Sequence, residues 1–136
     1  MGRSRLLREI HDWIGTPFHH QARRKGVGCD CIGLIIGVAT ALGIKVDDYR
    51  AYPVIGDPVM LIKKLREHAD EVSPEQMKPG DIIVFKLQKR PVHAAFYVGD
   101  GIVHTYYSAR KVVKHDLSPK WANRIYKVFR MRQLDD

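Results

Sequence analysis

The sequence predicts an α+β fold in which helices come first and an antiparallel sheet second. Three observations carry this. Apolar residues recur at helical spacing near the N-terminus, a nearly all-apolar run fills 31–42, and after Gly80 short β-branched and aromatic runs alternate with turn residues. Helices followed by strands, without strict alternation, imply segregated layers and not a parallel α/β sheet. A length of 136 residues suits one domain over residues 1–136, large enough to bury a core without staples.

Leu6, Leu7, Ile10, Trp13 and Ile14 fall on one face of an amphipathic helix over 3–14. Gly15-Thr16-Pro17 ends it, because Pro17 lacks an amide hydrogen and restricts the residue before it. A polar stretch from His19 to Gly28 follows. Residues 31–42 are apolar on every side, the pattern of a helix buried on every side. Asp30 stands where an N-cap is needed and Gly43 where a C-terminal stop is needed. A loop over 47–58, a surface helix over 58–68 and a turn-rich link over 74–80 lead to the sheet. Strands are expected at 81–87, 92–98, 102–106, 111–115 and 124–131, with Gly99-Asp100-Gly101 as a tight turn.

Composition narrows the function classes. Hydrophobic residues make up 45% and charged residues 28%, ordinary for a globular protein in water. No run approaches the roughly 18 apolar residues that cross a bilayer, so no transmembrane segment is expected. The N-terminal stretch also lacks the apolar core of a signal peptide, which points to synthesis in the cytoplasm and delivery by another route. The net charge of +8 favours polyanions, but the basic residues are scattered and form no block, so no specific nucleic-acid site is expected. The cysteines, 29 and 31, are too close in sequence for an unstrained bridge.

Cys31 would open the buried helix. There the unpaired amides and the helix dipole favour a thiolate and can also stabilise an oxyanion. A thiol nucleophile needs a base. Of seven histidines, His93 opens an otherwise apolar strand beside two alanines. If Gly99-Asp100 is a two-residue loop, His104 lies diagonally across from His93 on one sheet face, about 7–8 Å away between Cα atoms, and can orient it. A three-residue loop would put the two on opposite faces. Each residue also has a plainer reading: a thiol buried as a small hydrophobe, or a histidine satisfied structurally. Zinc is disfavoured, because Cys29-Asp30-Cys31 has one residue between its cysteines where structural sites have two to four.

Five ordered segments resemble the NlpC/P60 family of cell-wall cysteine peptidases. They are Gly15-Thr16-Pro17-Phe18, Asp30-Cys31-Ile32-Gly33-Leu34, Pro79-Gly80-Asp81 with the strand after it, His93 to Gly99, and Val103-His104. The resemblance implies a papain-like fold, a central buried helix packed on an antiparallel sheet. It also implies Cys31 as nucleophile, His93 as general base and acid, His104 as orienting residue, and neither metal nor cofactor. The implied substrate is the peptide stem of peptidoglycan, with Phe18, Asp30 and Ile32 at the substrate. Phe18 replaces a common tyrosine and Ile32 a common serine, which leaves the bond cleaved open. The run Gly28-Cys29-Asp30-Cys31 resembles members from phages and gene-transfer agents, implying a tail-associated hydrolase that contacts tail-tip proteins in a virion. A catalytically silent tail component and a thiol amidase or acyltransferase on the same fold are the competing readings.

Overall fold

In the computed structural model, which describes residues 1–53, 56–87, 90–105 and 108–135, helix α1 runs over Arg3–Asp12 and buries Leu6 and Ile10. A small hairpin of β1 (Arg23–Arg24) and β2 (Gly28–Cys29) leads into α2 (Cys31–Ala41). Helix α3 (Pro58–His68) starts on Asp57, whose Oδ1 accepts from the Met60 N–H at 3.1 Å. A β-strand, β3 (Ala69–Val72), follows it directly, and a 3₁₀ turn at Pro74–Gln76 leads to β4 (Ile82–Leu87). The rest is β5 (Arg90–Tyr97), β6 (Ile102–His104), β7 (Val113–His115), the short α4 (Pro119–Ala122) and β8 (Ile125–Met131). The expected third strand ends at His104, and Tyr106 lies outside the described residues.

The main sheet has the order β3-β8-β4-β5-β6-β7, with every pairing antiparallel. The fold is therefore α+β, as the sequence implied. Central strands are buried on both faces, which explains why Ile82-Ile83-Val84-Phe85 reads as a continuous apolar run. Ile82, Val84, Ala94 and Phe96 join the core shared with the helices. Ile83, Phe85, Ala95 and Ile102 face the other way, where Leu117 and Trp121 of the C-terminal segment cover them. Within α2, two glycines permit close approach. A Cβ at Gly37 would stand 2.2 Å from the Trp13 ring of α1, and one at Gly33 would stand 1.9 Å from the Ala22 carbonyl oxygen. Asp81 is fully buried and takes two bonds of 2.9 Å from Arg130, tying the start of β4 to β8. Among the described residues no helix is long and apolar enough to cross a membrane.

Candidate active site

Cys31 is the first residue of α2, and Asp30 holds it there. Asp30 is extended (φ −103°, ψ −173°) and caps the helix by accepting the Gly33 N–H on Oδ1 at 2.6 Å. Its Oδ2 accepts the Gln21 N–H at 2.8 Å and the Tyr52 hydroxyl at 2.6 Å. Arg23 then donates to the Tyr52 hydroxyl at 3.0 Å and to the Tyr49 carbonyl at 2.7 Å. Asp30, read from sequence as a substrate contact, thus has both oxygens engaged by the chain itself. Its work in the structure is to clamp the segments around Gln21 and Tyr52 onto the start of α2.

The Cys31 side chain is half-buried, and the backbone N–H groups of Ala94, Ile32 and Cys31 itself favour its thiolate. Burial first, and the Asp30 charge second, push its thiol up to about 12, against the opposing pull of those N–H groups. Cys29 is fully buried, and burial likewise raises its thiol to about 12. Both cysteines are free thiols. Two tyrosines that the sequence reading passed over stand close by. Tyr52 is hydrogen-bonded to Asp30, and the Tyr49 hydroxyl is raised by burial and then by the Cys31 charge.

The histidines assemble on the sheet. Val98 N–H bonds the Gly101 carbonyl at 2.9 Å, and Phe96 pairs with Val103, so the β5–β6 loop is the two-residue Gly99-Asp100. Gly99 takes the positive φ, 98°, that such a loop demands of its first residue. His93 and His104 therefore share a face, and His93 Nε2 meets His104 Nδ1 at 2.6 Å. A third histidine continues the line: His104 Nε2 meets His115 Nε2 at 2.6 Å, and His115 Nδ1 bonds the Asp116 carbonyl at 2.9 Å. Trp121 covers all three, with ring centroids 5.8, 5.0 and 5.6 Å from His93, His104 and His115. Burial, then the His115 charge, lowers His93 to about 3. Burial, then the charges of His93 and His115, lowers His104 to about 2. Both rings are neutral at neutral pH.

The structure thus joins His93 to His104 ring to ring, and sets Cys31 near the backbone of the residue that follows His93. Ile32 is 8% exposed and packs into the apolar space between α2 and α3, beside Ile36, Leu61 and Leu65. Phe18 is half-buried, bonds the Arg110 carbonyl through its N–H at 2.8 Å and bridges to Cys29. His115 and Trp121 were not singled out from sequence. The signal for His115 was present: His104 lies 11 residues after His93, and His115 another 11 after His104. Among the described residues no cluster of three or more His, Cys, Asp or Glu side chains is arranged to hold a metal ion.

Comparison with known proteins adds the following. A family model, that of the NlpC/P60 family, matches residues 15–130. The NlpC/p60 domain of the peptidoglycan hydrolase SagA is similar in structure, with a TM-score of 0.72 at 18% identity over 96% of this chain and 100% of that one. An NlpC/P60 family protein from Bacillus cereus gives a TM-score of 0.74 at 22% identity over 95% of this chain, which spans only 40% of that protein. RipD from Mycobacterium tuberculosis, a non-catalytic NlpC/p60 domain protein adapted to peptidoglycan binding, gives 0.66 at 18% identity over 97% of both chains. At these identities the likeness is one of fold. No curated protein sequence matches the chain significantly.

Proposed function

The chain belongs to the NlpC/P60 family, and from that membership we propose that it is a cysteine peptidase cutting the peptide stems of bacterial peptidoglycan. Cys31 is the nucleophile, His93 the general base and acid, and His104 the residue that orients His93. One observation supports this reading above the rest: His93 is gripped by a second histidine at 2.6 Å, on the strand whose next residue, Ala94, lies close enough for its backbone N–H to favour the Cys31 thiolate. His93 uses Nε2 toward His104, so Nδ1 takes the thiol proton as the sulfur attacks the stem carbonyl. The N–H groups at the start of α2 stabilise the oxyanion. The C–N bond then breaks as His93 returns the proton to the leaving amine. Water, activated by the same histidine, releases the thioester as a carboxylate and restores the thiol. Phe18 borders the pocket for the stem, whereas Ile32, packed between α2 and α3, supports the helix that carries Cys31. The net charge of +8 draws the protein to acidic wall polymers.

The Gly28-Cys29-Asp30-Cys31 run supports a place in a phage or gene-transfer-agent tail, with delivery to the wall inside the particle. The test of the activity is direct. Wild type and Cys31→Ala are incubated with purified peptidoglycan of several wall types, and released muropeptides are followed by mass spectrometry. Release by wild type alone is the expected result. Binding to the wall by both proteins with release by neither would make this a binding domain and end the peptidase reading. Mass spectrometry of purified tail particles tests the second half, which fails if the chain is absent from them.

A further inference from the structure

We propose that His115 is a positioning residue that sets the proton positions of the catalytic pair, through a chain of hydrogen bonds anchored on the Asp116 carbonyl. This rests on the reading of His93 as the base. A carbonyl oxygen only accepts, so the His115 Nδ1 that meets it at 2.9 Å carries a hydrogen. A neutral imidazole has one N–H, so His115 Nε2 is an acceptor. The contact of 2.6 Å then requires His104 to donate from Nε2, which leaves His104 Nδ1 as an acceptor. The next contact, also 2.6 Å, requires His93 to donate from Nε2. His93 Nδ1 is left with its lone pair, the state a base needs. The opposite order would place an N–H on Nδ1, and that imidazole could not accept the thiol proton.

The strand register makes this chain possible. His104 pairs with Val113 and Ile102 with His115, so each histidine steps diagonally along one face by the reach of a side chain. Trp121 of α4 lies against all three rings and keeps them from turning. His104 is completely buried, so no water competes for its nitrogens, and its tautomer is set by its neighbours. His115 is the least buried of the three and the one tied to the backbone.

The tautomers can be read directly by long-range ¹H–¹⁵N correlation on histidine-labelled protein at about pH 8.5, above the ordinary histidine range. The expected pattern is Nδ1–H for His115 and Nε2–H for His104 and His93. His115→Phe keeps an aromatic ring under Trp121 but removes both hydrogen bonds. It is expected to give mixed tautomers at His104 and His93 and to lower kcat about ten-fold or more with KM little changed. His115→Gln, whose amide oxygen can accept from His104, is expected to recover part of the loss. An Nδ1–H on His93 in the wild type would overturn the proposal. So would a His115→Phe protein that keeps both tautomers and full kcat. Should the wild type release nothing from peptidoglycan, the peptidase reading fails, and the wild-type tautomer pattern still decides this inference.

Discussion

Replacing Asp30 by alanine removes three hydrogen bonds at once: from Gly33 N–H at 2.6 Å, Gln21 N–H at 2.8 Å and the Tyr52 hydroxyl at 2.6 Å. Asp30 is 5% exposed, so its partners lose a buried, charged acceptor. Bonds to charged groups contribute about 1.5–3 kcal/mol each, and the low end applies where a relaxing loop lets water re-pair a donor. Three at the low end give about 4–5 kcal/mol, and removing a desolvated carboxylate offsets part of this. The expected loss is about 3–5 kcal/mol, a large share of a typical domain's stability. Asp30→Asn keeps an oxygen for Gly33 but turns an NH₂ toward two donors, and about half the loss is expected. Urea denaturation measures both, with the slope m checked against wild type. An alanine variant within about 1 kcal/mol of wild type, at unchanged m, would refute the argument that this carboxylate anchors the start of α2.

Three further outcomes are expected. Gly33→Ala places a Cβ 1.9 Å from the Ala22 carbonyl, a backbone atom, while Gly2→Ala meets nothing within 4 Å. The first should lose the native fold or at least about 3 kcal/mol, the second less than about 0.5, by thermal melts followed with circular dichroism. Stability should fall on both sides of neutrality. His93 and His104 stay neutral to about 3 and 2, whereas unfolded histidine protonates near 6.5, so below that pH the unfolded state binds more protons. The slope approaches about 1.4 kcal/mol per pH unit for each ring. On the alkaline side an unfolded thiol ionises near 9.0 while Cys31 holds its proton to about 12, so stability drops again above pH 9.0. Flat stability between pH 4 and 6.5, measured by urea titration, would contradict the buried neutral histidines. Finally, Trp121→Ala should admit water to the histidine layer and bring the acid loss to a lower slope, visible in the same titration.

What the sequence made legible was local. Asp30 before an all-apolar run named both the cap and the buried helix, and the surface helix expected over 58–68 is α3. The Gly99-Asp100-Gly101 turn was legible but its loop length was not, and the structure takes the two-residue form that puts His93 and His104 on one face. What stayed hidden was non-local or too short to carry a period. Strand β3 reads Ala-Asp-Glu-Val, with only Ala69 buried, and exists because β8 pairs with it. Strands β1 and β2 have two residues each, and α4 has four. The bond from Asp81 to Arg130 joins residues 49 apart, and no pattern in either segment announces it.

The electrostatics of Cys31 show where local reasoning stops being enough. A helix N-terminus lowers a thiol pKa, and the N–H groups of Ala94, Ile32 and Cys31 do pull this one down. Burial and the neighbouring Asp30 charge act the other way and win, leaving the thiol at about 12 while burial holds His93 at about 3. Cys31 and His93 then rest as thiol and neutral imidazole, not thiolate and imidazolium, and in the proposed mechanism the proton moves as the sulfur attacks. This predicts how the two cysteines meet iodoacetamide in the folded protein. Cys29, at 0% exposure, should stay unmodified, and half-buried Cys31 should alkylate slowly at pH 7 and faster above pH 9.0. Peptide mass spectrometry after timed quenching separates the two sites. A Cys31 rate that is already high and level from pH 5 to 8 would mean an ion pair at rest, and would overturn the ordering of burial over the helix terminus.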